Sequence, residues 1–194
     1  MENFEQQVQE EPAPVEENVN WGRFTLDILE TLILAVVLFL GINALSARVR
    51  VDGFSMRPTL EDGEFVLVNK MSYRLGEINR GDIIVFHFPV NPSEDLIKRV
   101  IGLPGDRVAV HNGQVSVNGV VLSEPYIAEA PNYDGEWVVT DKTLFVMGDN
   151  RNNSSDSHSW GLLPYEKIVG KAILIYWPPP FWKMIEHTEV LAKQ

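Results

Sequence analysis

The distribution of hydrophobic residues divides the chain at about residue 50. Residues 26–45 read LDILETLILAVVLFLGINAL, an apolar run whose centre carries no charge. Twenty residues of α-helix measure about 30 Å, which is the thickness of the hydrocarbon layer of a bilayer. The pattern therefore predicts a single transmembrane helix, which we place within an anchor segment at residues 23–47.

Two other interpretations of the apolar run are disfavoured. A buried helix of a soluble protein is seldom apolar on every side over this length. A cleavable signal peptide has a basic segment followed by a shorter apolar core, whereas the residues before this run are acidic. Ala44-Leu45-Ser46 bears only a weak resemblance to a processing site, so a permanent anchor is favoured.

Beyond residue 50 the pattern changes to short segments rich in β-branched and aromatic residues, which are typical of strands. These segments are residues 64–69, 82–88, 96–101, 107–111, 114–117, 144–147 and 168–177. Asn112-Gly113 and Asn118-Gly119 are two-residue turn signals, each between apolar runs, and they predict a meander over residues 107–122. The expected fold class is mainly β, with an antiparallel domain at residues 48–178 on one N-terminal helix.

Composition and charge narrow the possible functions. The chain has 194 residues and a net charge of −11, with six glutamates among the first twenty residues. Residues 1–22 are therefore expected to form a disordered acidic tail, and nothing suggests a basic surface for nucleic acid. Cysteine is absent, which excludes disulfides and cysteine-ligated metal sites. We expect neither a metal nor a cofactor.

Residues 179–194 are expected to form a C-terminal tail after the last strand. Three consecutive prolines at 178–180 end that strand, because proline cannot donate to a β-ladder. Phe181 and Trp182 follow on this stiff connection. Two interpretations stay open for the two aromatic rings. They fold back onto the β core, as large aromatic side chains usually do, or they enter a membrane interface.

Ser55 lies ten residues beyond the apolar run, between Phe54 and Met56, with Pro58 and Gly63 after it. This setting is typical of a hydroxyl displayed on a turn. An isolated turn serine most often makes only local hydrogen bonds. Two further stretches therefore decide whether this serine has a chemical role.

Lys98 and Arg99 are consecutive cations inside the apolar segment at residues 96–101. Successive strand residues point to opposite faces, so both charges are enclosed if both faces are covered. The simpler alternative is a half-exposed strand with one cation in water. A lysine buried among apolar neighbours such as Leu96 and Val100 would have a lowered pKa and could act as a general base.

The stretch at residues 148–161 is long and polar, yet it contains no lysine or glutamate. A solvated loop is the ordinary interpretation of such a stretch. Short hydrogen-bonding side chains nevertheless suit an internal network better than a solvent-facing surface.

Four segments together resemble the successive sequence boxes of the type I signal peptidases, which are membrane-anchored serine proteases that use a lysine base. They are GFSMRPTL at residues 53–60, GDIIVF at 81–86, KRVIGLPGD at 98–106 and GDNRNNSSDS at 148–157. The order and spacing of the boxes make the resemblance specific, and it covers roughly residues 24–177.

The resemblance implies that Ser55 is the nucleophile and that Lys98 is the general base that removes its proton. It also implies that Ser154 holds the lysine amine in place. Supporting charged residues are implied at Asp149, Arg99 and Asp156. An apolar set that binds substrate and admits only small side chains is implied at Val51, Met56, Leu60 and Ile97.

Two positions depart from the family pattern. In some relatives, the residue two positions before the nucleophile is a serine whose hydroxyl contacts the oxyanion. In this chain that residue is Gly53. The oxyanion would then rest on the backbone N–H of Ser55 and on another main-chain donor. His158 stands where relatives often carry arginine beside Asp156, which would weaken that pair.

The implied function is a serine endopeptidase that removes N-terminal signal peptides from secretory precursors at a membrane surface. Ser55 lies ten residues past the helix, a reach of at most about 36 Å, so membrane lipid would be a partner besides the precursor proteins. This chemistry requires the catalytic domain on the extracytoplasmic side of the plasma membrane. Arg48, Arg50 and Arg57 favour the opposite orientation, but the charge rule is weak where a long domain follows the helix.

Three rival functions would use the same residues differently. A Ser/His/Asp hydrolase could combine Ser55, His158 and Asp156. A self-cleaving repressor-type protease also uses a Ser/Lys pair, but it would carry a DNA-binding domain in place of the transmembrane helix. A non-catalytic anchored scaffold would need neither Ser55 nor Lys98.

Overall fold

The computed structural model describes residues 21–187 of the chain. Residues 1–20, which make up most of the expected acidic tail, and residues 188–194, the end of the expected C-terminal tail, lie outside the described residues. Helix α1 (Trp21–Leu45) has 25 residues, none of them buried, and it is long and apolar enough to cross a membrane. The predicted N-terminal apolar helix is thus confirmed.

The chain from Gly41 onward forms a compact unit of its own. Twelve strands follow α1 among the described residues. They are β1 (Ser46–Arg50), β2 (Phe65–Asn69), β3 (Ile83–His87), β4 (Asp95–Gly102), β5 (Arg107–His111), β6 (Gln114–Val117), β7 (Val120–Val121), β8 (Gly135–Val138), β9 (Thr143–Met147), β10 (Leu163–Pro164), β11 (Ile168–Trp177) and β12 (Lys183–Met184). The short helices α2 (Ser72–Leu75) and α3 (Ser157–Trp160) lie between strands, as do 3-10 turns at Tyr165–Lys167 and Pro179–Phe181.

The strands form two sheets. The larger sheet has eight strands in the order β1-β2-β11-β3-β4-β9-β10, with β12 paired to β11. The smaller sheet has the order β7-β6-β5-β8. Each strand pair among the described residues is antiparallel. The expected mainly antiparallel β fold class is confirmed.

Strand β4 lies near the centre of the larger sheet, between β3 and β9. In β3, Ile83 belongs to one buried apolar cluster and its neighbour Ile84 to another, so apolar residues cover both faces of the sheet here. In β4, Lys98 is opposite Ile84 and Arg99 is opposite Ile83. Both cations are consequently buried, with 2% and 1% of their surface exposed. The alternative of a half-exposed strand is wrong.

The predicted strands agree with the observed ones because these strands bury their apolar residues, and this gives them a recognisable hydrophobic pattern in the sequence. The segments at residues 107–111, 114–117 and 168–177 coincide with β5, β6 and β11. The two predicted Asn-Gly turns are present, since Asn112 and Asn118 both have positive φ, at 50° and 53°, as this turn requires. The hydrophobic pattern did not predict β1, β8, β10 and β12, and β7 was predicted only as part of the meander.

The C-terminal segment belongs partly to the sheet. Strand β12 pairs with β11, and Ile185 is buried in the cluster that contains Met56, although this region was expected to be a tail. Phe181 and Trp182 are 58% and 66% exposed. The interpretation that these two rings fold back onto the β core therefore does not agree with the structure.

Candidate active site

Ser55 lies on the turn that connects β1 to β2. The turn is anchored from inside by Met56 and Leu60, which are 1% and 0% exposed. The segment at residues 148–157 holds the turn from the side: the backbone N–H of Asn150 donates to the Ser55 carbonyl at 3.0 Å, and the Asn150 amide donates to the Phe54 carbonyl at 3.1 Å. The serine is thus presented on a fixed backbone.

Lys98 reaches Ser55 from strand β4. Its Nζ lies 2.8 Å from Ser55 Oγ and also donates to the Ile97 carbonyl at 2.9 Å. The two residues are 43 positions apart in the sequence, so the sheet brings them together. The structure therefore places the predicted nucleophile and the predicted base in direct contact.

The environment of Lys98 shifts its pKa. Burial disfavours the charged ammonium and lowers the pKa of Lys98 from 10.5 to about 8, while the carboxylates of Asp156 and Asp149 oppose this effect. Desolvation is thus stronger than the attraction of the two carboxylates. Near pH 8, half of the Lys98 amine is neutral and able to accept a proton.

Arg99 and Asp149 form a buried ion pair next to this dyad. Arg99 Nε and Nη2 donate to the two carboxylate oxygens of Asp149 at 2.8 and 2.7 Å, and Nη1 donates to the Gly81 carbonyl at 3.0 Å. The guanidinium also stacks over the ring of Tyr126, 3.9 Å from its centroid. The hydroxyl of Thr59 donates a hydrogen bond to the Asp149 carboxylate. This contact joins the Ser55 turn to the ion pair of Arg99 and Asp149. The contact was not predicted from the sequence.

Asp156 organises the other end of the segment. One of its oxygens accepts the backbone N–H of Gly148 at 2.8 Å, and the other lies 2.6 Å from Nδ1 of His158. The His158 ring stacks on Tyr133 with 4.2 Å between the ring centroids. Because the Ser55 hydroxyl contacts Lys98 rather than this histidine, the structure does not form the Ser/His/Asp arrangement of the rival hydrolase.

A second buried ion pair was not predicted. Arg151 donates from both Nη atoms to Glu124, at 2.9 and 2.6 Å, and from Nε to the Gly148 carbonyl at 3.0 Å. Arg151 lies within the GDNRNNSSDS box, so its position in the sequence could have identified it. Glu124 lies in a separate loop, and only the fold reveals the pairing.

Gly148 and Ser154 lie against the turn that carries Ser55. A Cβ added at Gly148 would come within 2.3 Å of Ser154 Oγ and 2.4 Å of the Ser55 carbonyl oxygen. Only glycine therefore allows this close approach. The hydroxyl of Ser154 is buried and has no hydrogen-bond partner in the described part of the chain, and its predicted contact with Lys98 is not formed.

The predicted substrate-binding residues lie together beneath the turn. They belong to one apolar cluster, in which none is more than 7% exposed: Val51, Met56, Leu60 and Ile97. Gly53 has a φ of 96°, a conformation that favours glycine, and its N–H donates to Asp62 at 2.7 Å. That N–H is thus occupied by a carboxylate. Among the described residues there is no cluster of side chains able to bind a metal.

We predict that Arg99→Met destabilises the domain by about 3–5 kcal/mol, because it leaves the buried Asp149 carboxylate without its partner. The measurement is urea unfolding of a fragment of residues 46–194. The matched control is Arg107→Met. Arg107 pairs with Glu136 on the surface, with both side chains more than half exposed, so its loss should cost less than about 1 kcal/mol. Equal effects of the two substitutions would contradict the bracing role of Arg99.

The chain matches the family model described as signal peptidase, peptidase S26, over residues 25–177. A probable signal peptidase I-2 of Synechocystis is 45% identical over 80% of this chain and 74% of its own length. A signal peptidase I of Leptolyngbya laminosa is 47% identical over 77% of this chain and 78% of its own length. A signal peptidase I of Bacillus caldolyticus is 47% identical over 66% of this chain and 78% of its own length. A solved signal peptidase I of Enterococcus faecalis is 33% identical, with a TM-score of 0.46 over 49% of this chain and 96% of that one.

The residues matched by the family model include the four sequence boxes, the turn that carries Ser55 and the strand that carries Lys98. The chain therefore belongs to the signal peptidase I family, peptidase S26, and is a serine endopeptidase that removes signal peptides.

Proposed function

We propose that Ser55 is the nucleophile of this signal peptidase and that Lys98 is its general base. The observation that carries this proposal is the 2.8 Å separation of Lys98 Nζ and Ser55 Oγ at a buried position. In its neutral form the amine accepts the hydroxyl proton while the serine oxygen attacks the carbonyl carbon of the scissile bond. The peptide nitrogen then leaves with a proton returned by the Lys98 ammonium.

This first half of the reaction leaves the signal peptide esterified to Ser55. A water molecule gives a proton to neutral Lys98 and attacks the ester carbonyl. The ester bond then breaks and releases the signal peptide, and the Lys98 ammonium returns its proton to the serine oxygen, which restores the hydroxyl. The backbone N–H of Ser55 is the proposed donor to the oxyanion in both halves. Gly53 has no hydroxyl to add, and its own N–H is held by Asp62.

Ser154 is the proposed positioning residue for the lysine. Its buried hydroxyl lies beside Gly148, where the Ser55 backbone also approaches, and it has no hydrogen-bond partner among the described residues. This unpaired hydroxyl near the Ser55 turn supports the proposal. Asp149, Arg99 and Asp156 support the site through the contacts described above. They are not proposed to take part in bond making or breaking.

The apolar set Val51, Met56, Leu60 and Ile97 is proposed to form the binding surface for the residues before the cut. Because these side chains are at most 7% exposed, little of each is available to a substrate, and the proposed surface has shallow depressions rather than deep pockets. Side chains of about the size of alanine fit such depressions at the first and third positions before the cut.

The catalytic domain is proposed to lie outside the cytoplasm, anchored in the plasma membrane by α1. Signal peptides place their apolar segment in the membrane and their cleavage site just beyond it, and the precursors of secreted proteins are cut after translocation. Digestion of the domain by a protease added to intact cells would support this orientation, and complete protection would contradict it.

Membrane lipid is proposed as a direct partner of the C-terminal aromatic residues. Trp177, Phe181 and Trp182 are each more than half exposed, although large aromatic side chains are usually buried. Such rings are favoured at membrane interfaces. Their contact with lipid would hold the catalytic turn near the membrane where the substrate is embedded.

We predict that Ser55→Ala and Lys98→Met each lower precursor cleavage by at least about 10⁴-fold, because the two residues act as one unit.

Ser154→Ala should lower kcat more than it changes KM. His158→Ala should stay within about tenfold of the parent. The measurement is cleavage of a membrane-embedded precursor by proteins whose circular dichroism is unchanged. An active Lys98→Met, or an inactive His158→Ala with the dyad intact, would support a histidine base.

The pH dependence of kcat/KM should follow the Lys98 amine. Activity rises with pH because only the neutral amine accepts the Ser55 proton, and the midpoint should lie near the lysine pKa of about 8. Asp156→Asn removes a carboxylate that raises this pKa, so its midpoint should move to lower pH. A midpoint near pH 5, or activity independent of pH from 5 to 10, would contradict a lysine base.

The specificity of cleavage should depend on the shallow apolar surface. In a peptide library, alanine should be preferred at the first and third positions before the cut. Ile97→Ala should extend the accepted side chains toward valine or leucine, because it removes part of the surface. Efficient cleavage after Phe, Leu or Arg by the parent enzyme would exclude this proposal.

A fragment of residues 46–194 should bind lipid vesicles without the helix, as measured by its tryptophan fluorescence. Phe181→Ser/Trp182→Ser should weaken this binding by more than about tenfold, because two large apolar side chains no longer leave water. Val120→Ser/Val121→Ser is the matched control, since these residues are also exposed but lie in the smaller sheet. Equal loss in both double variants, or no binding by the parent, would show that the rings do not contact lipid.

A further inference from the structure

A cavity of about 620 Å³ lies apart from the catalytic turn and includes neither Ser55 nor Lys98 among its lining residues. Its polar rim carries Lys70, Arg74 and Glu77. Its apolar side is formed in part by Ile78, Leu103 and Ile168. The cavity therefore has the two-part character of a site for an amphiphilic ligand.

The rim of this cavity lies next to the point where the chain leaves helix α1. The backbone N–H of Lys70 donates to the carbonyl of Leu45, the last residue of α1, at 3.0 Å. The adjacent Asn69 is the β-sheet partner of Ser46, the first residue after the helix. A helix that crosses a membrane ends near the lipid headgroups, so Lys70 is tied to the part of the chain at that level.

The charges on the rim favour an anion. Lys70 and Arg74 form no ion pair with a carboxylate within residues 21–187, so both positive charges are available to a ligand, in a chain whose net charge is −11. Cations close to a membrane surface attract anionic headgroups. The rim therefore carries a net positive charge in a chain whose net charge is negative.

Glu77 restricts the kind of anion. Its carboxylate repels a free phosphate dianion but can accept hydrogen bonds from the hydroxyl groups of a neutral headgroup substituent. A phosphodiester with one negative charge and a glycerol headgroup satisfies the two cations and the carboxylate together. The apolar side of the cavity then contacts the glycerol backbone and the first acyl carbons.

We propose that this cavity is a binding site for an anionic phospholipid of the phosphatidylglycerol class. Lys70 and Arg74 bind the phosphodiester, Glu77 accepts from the headgroup hydroxyls, and Ile78, Leu103 and Ile168 contact the apolar part of the lipid. The proposal rests on the membrane anchoring described above. A lipid bound here would fix the first strands of the catalytic domain at the headgroup level.

The test uses the full chain in detergent micelles and native mass spectrometry. The protein is titrated with phosphatidylglycerol, with phosphatidylcholine and, separately, with inorganic phosphate. Lys70→Gln/Arg74→Gln should bind phosphatidylglycerol about thirtyfold more weakly than the parent, because the variant lacks two cations that attract the anionic headgroup. Arg107→Gln/Lys142→Gln removes the same charge at exposed positions elsewhere and should bind as the parent does. Ile78→Trp keeps the charges, fills the apolar side and should also weaken binding.

Precursor cleavage in detergent micelles that contain phosphatidylcholine serves as the folding control, because none of the substituted residues contacts the proposed catalytic dyad. Loss of binding in Lys70→Gln/Arg74→Gln and in Ile78→Trp, with cleavage retained, supports the proposal. Equal binding by all variants, or equal affinity for phosphatidylcholine, overturns it. Binding of inorganic phosphate as tight as that of the lipid also overturns it, since the site would then recognise a phosphate alone. Ser55→Ala should lose cleavage, whereas the cavity variants should keep it. The test of the lipid site is therefore independent of the test of the proposed catalysis.

Discussion

The proposed chemistry of this protein depends on the removal of one lysine amine from water. Lys98 is 2% exposed, and its surroundings disfavour the ammonium strongly enough to lower its pKa to about 8. Two carboxylates oppose this shift, so the position of the amine between apolar strands and acidic side chains sets how much of the base is neutral. A lysine in water would be almost wholly protonated at neutral pH.

This burial is possible because apolar residues cover both faces of the larger sheet at strand β4. The same strand necessarily directs the next residue, Arg99, to the opposite face. That second buried cation is compensated by Asp149, which belongs to the segment that also contacts the Ser55 turn. The ion pair thus joins the strand that carries the proposed base, Lys98, to the loop that holds the proposed nucleophile, Ser55. Stability and catalytic geometry depend on the same contacts.

Most of the fold could be predicted because its strands are buried and therefore have a clear apolar pattern. The strands that were not predicted lack it: β8 is half exposed, and β12 has two exposed residues after three prolines. Ser55 and Lys98 were identifiable from the sequence boxes that carry them. The contact of Thr59 with Asp149, the pairing of Arg151 with Glu124 and the crowding around Gly148 are not encoded in local patterns. They arise from residues that are distant in sequence and become neighbours only in the folded domain.

The most direct test of the account is a titration of the Lys98 amine itself. Nuclear magnetic resonance of the protein with isotope-labelled lysine side chains would follow each amine with pH, and the Lys98 signal is assigned by its absence from Lys98→Met. We expect this signal to titrate with a midpoint near pH 8, apart from surface lysines near their ordinary value of about 10.4. A Lys98 signal that titrates together with the surface lysines would contradict the account.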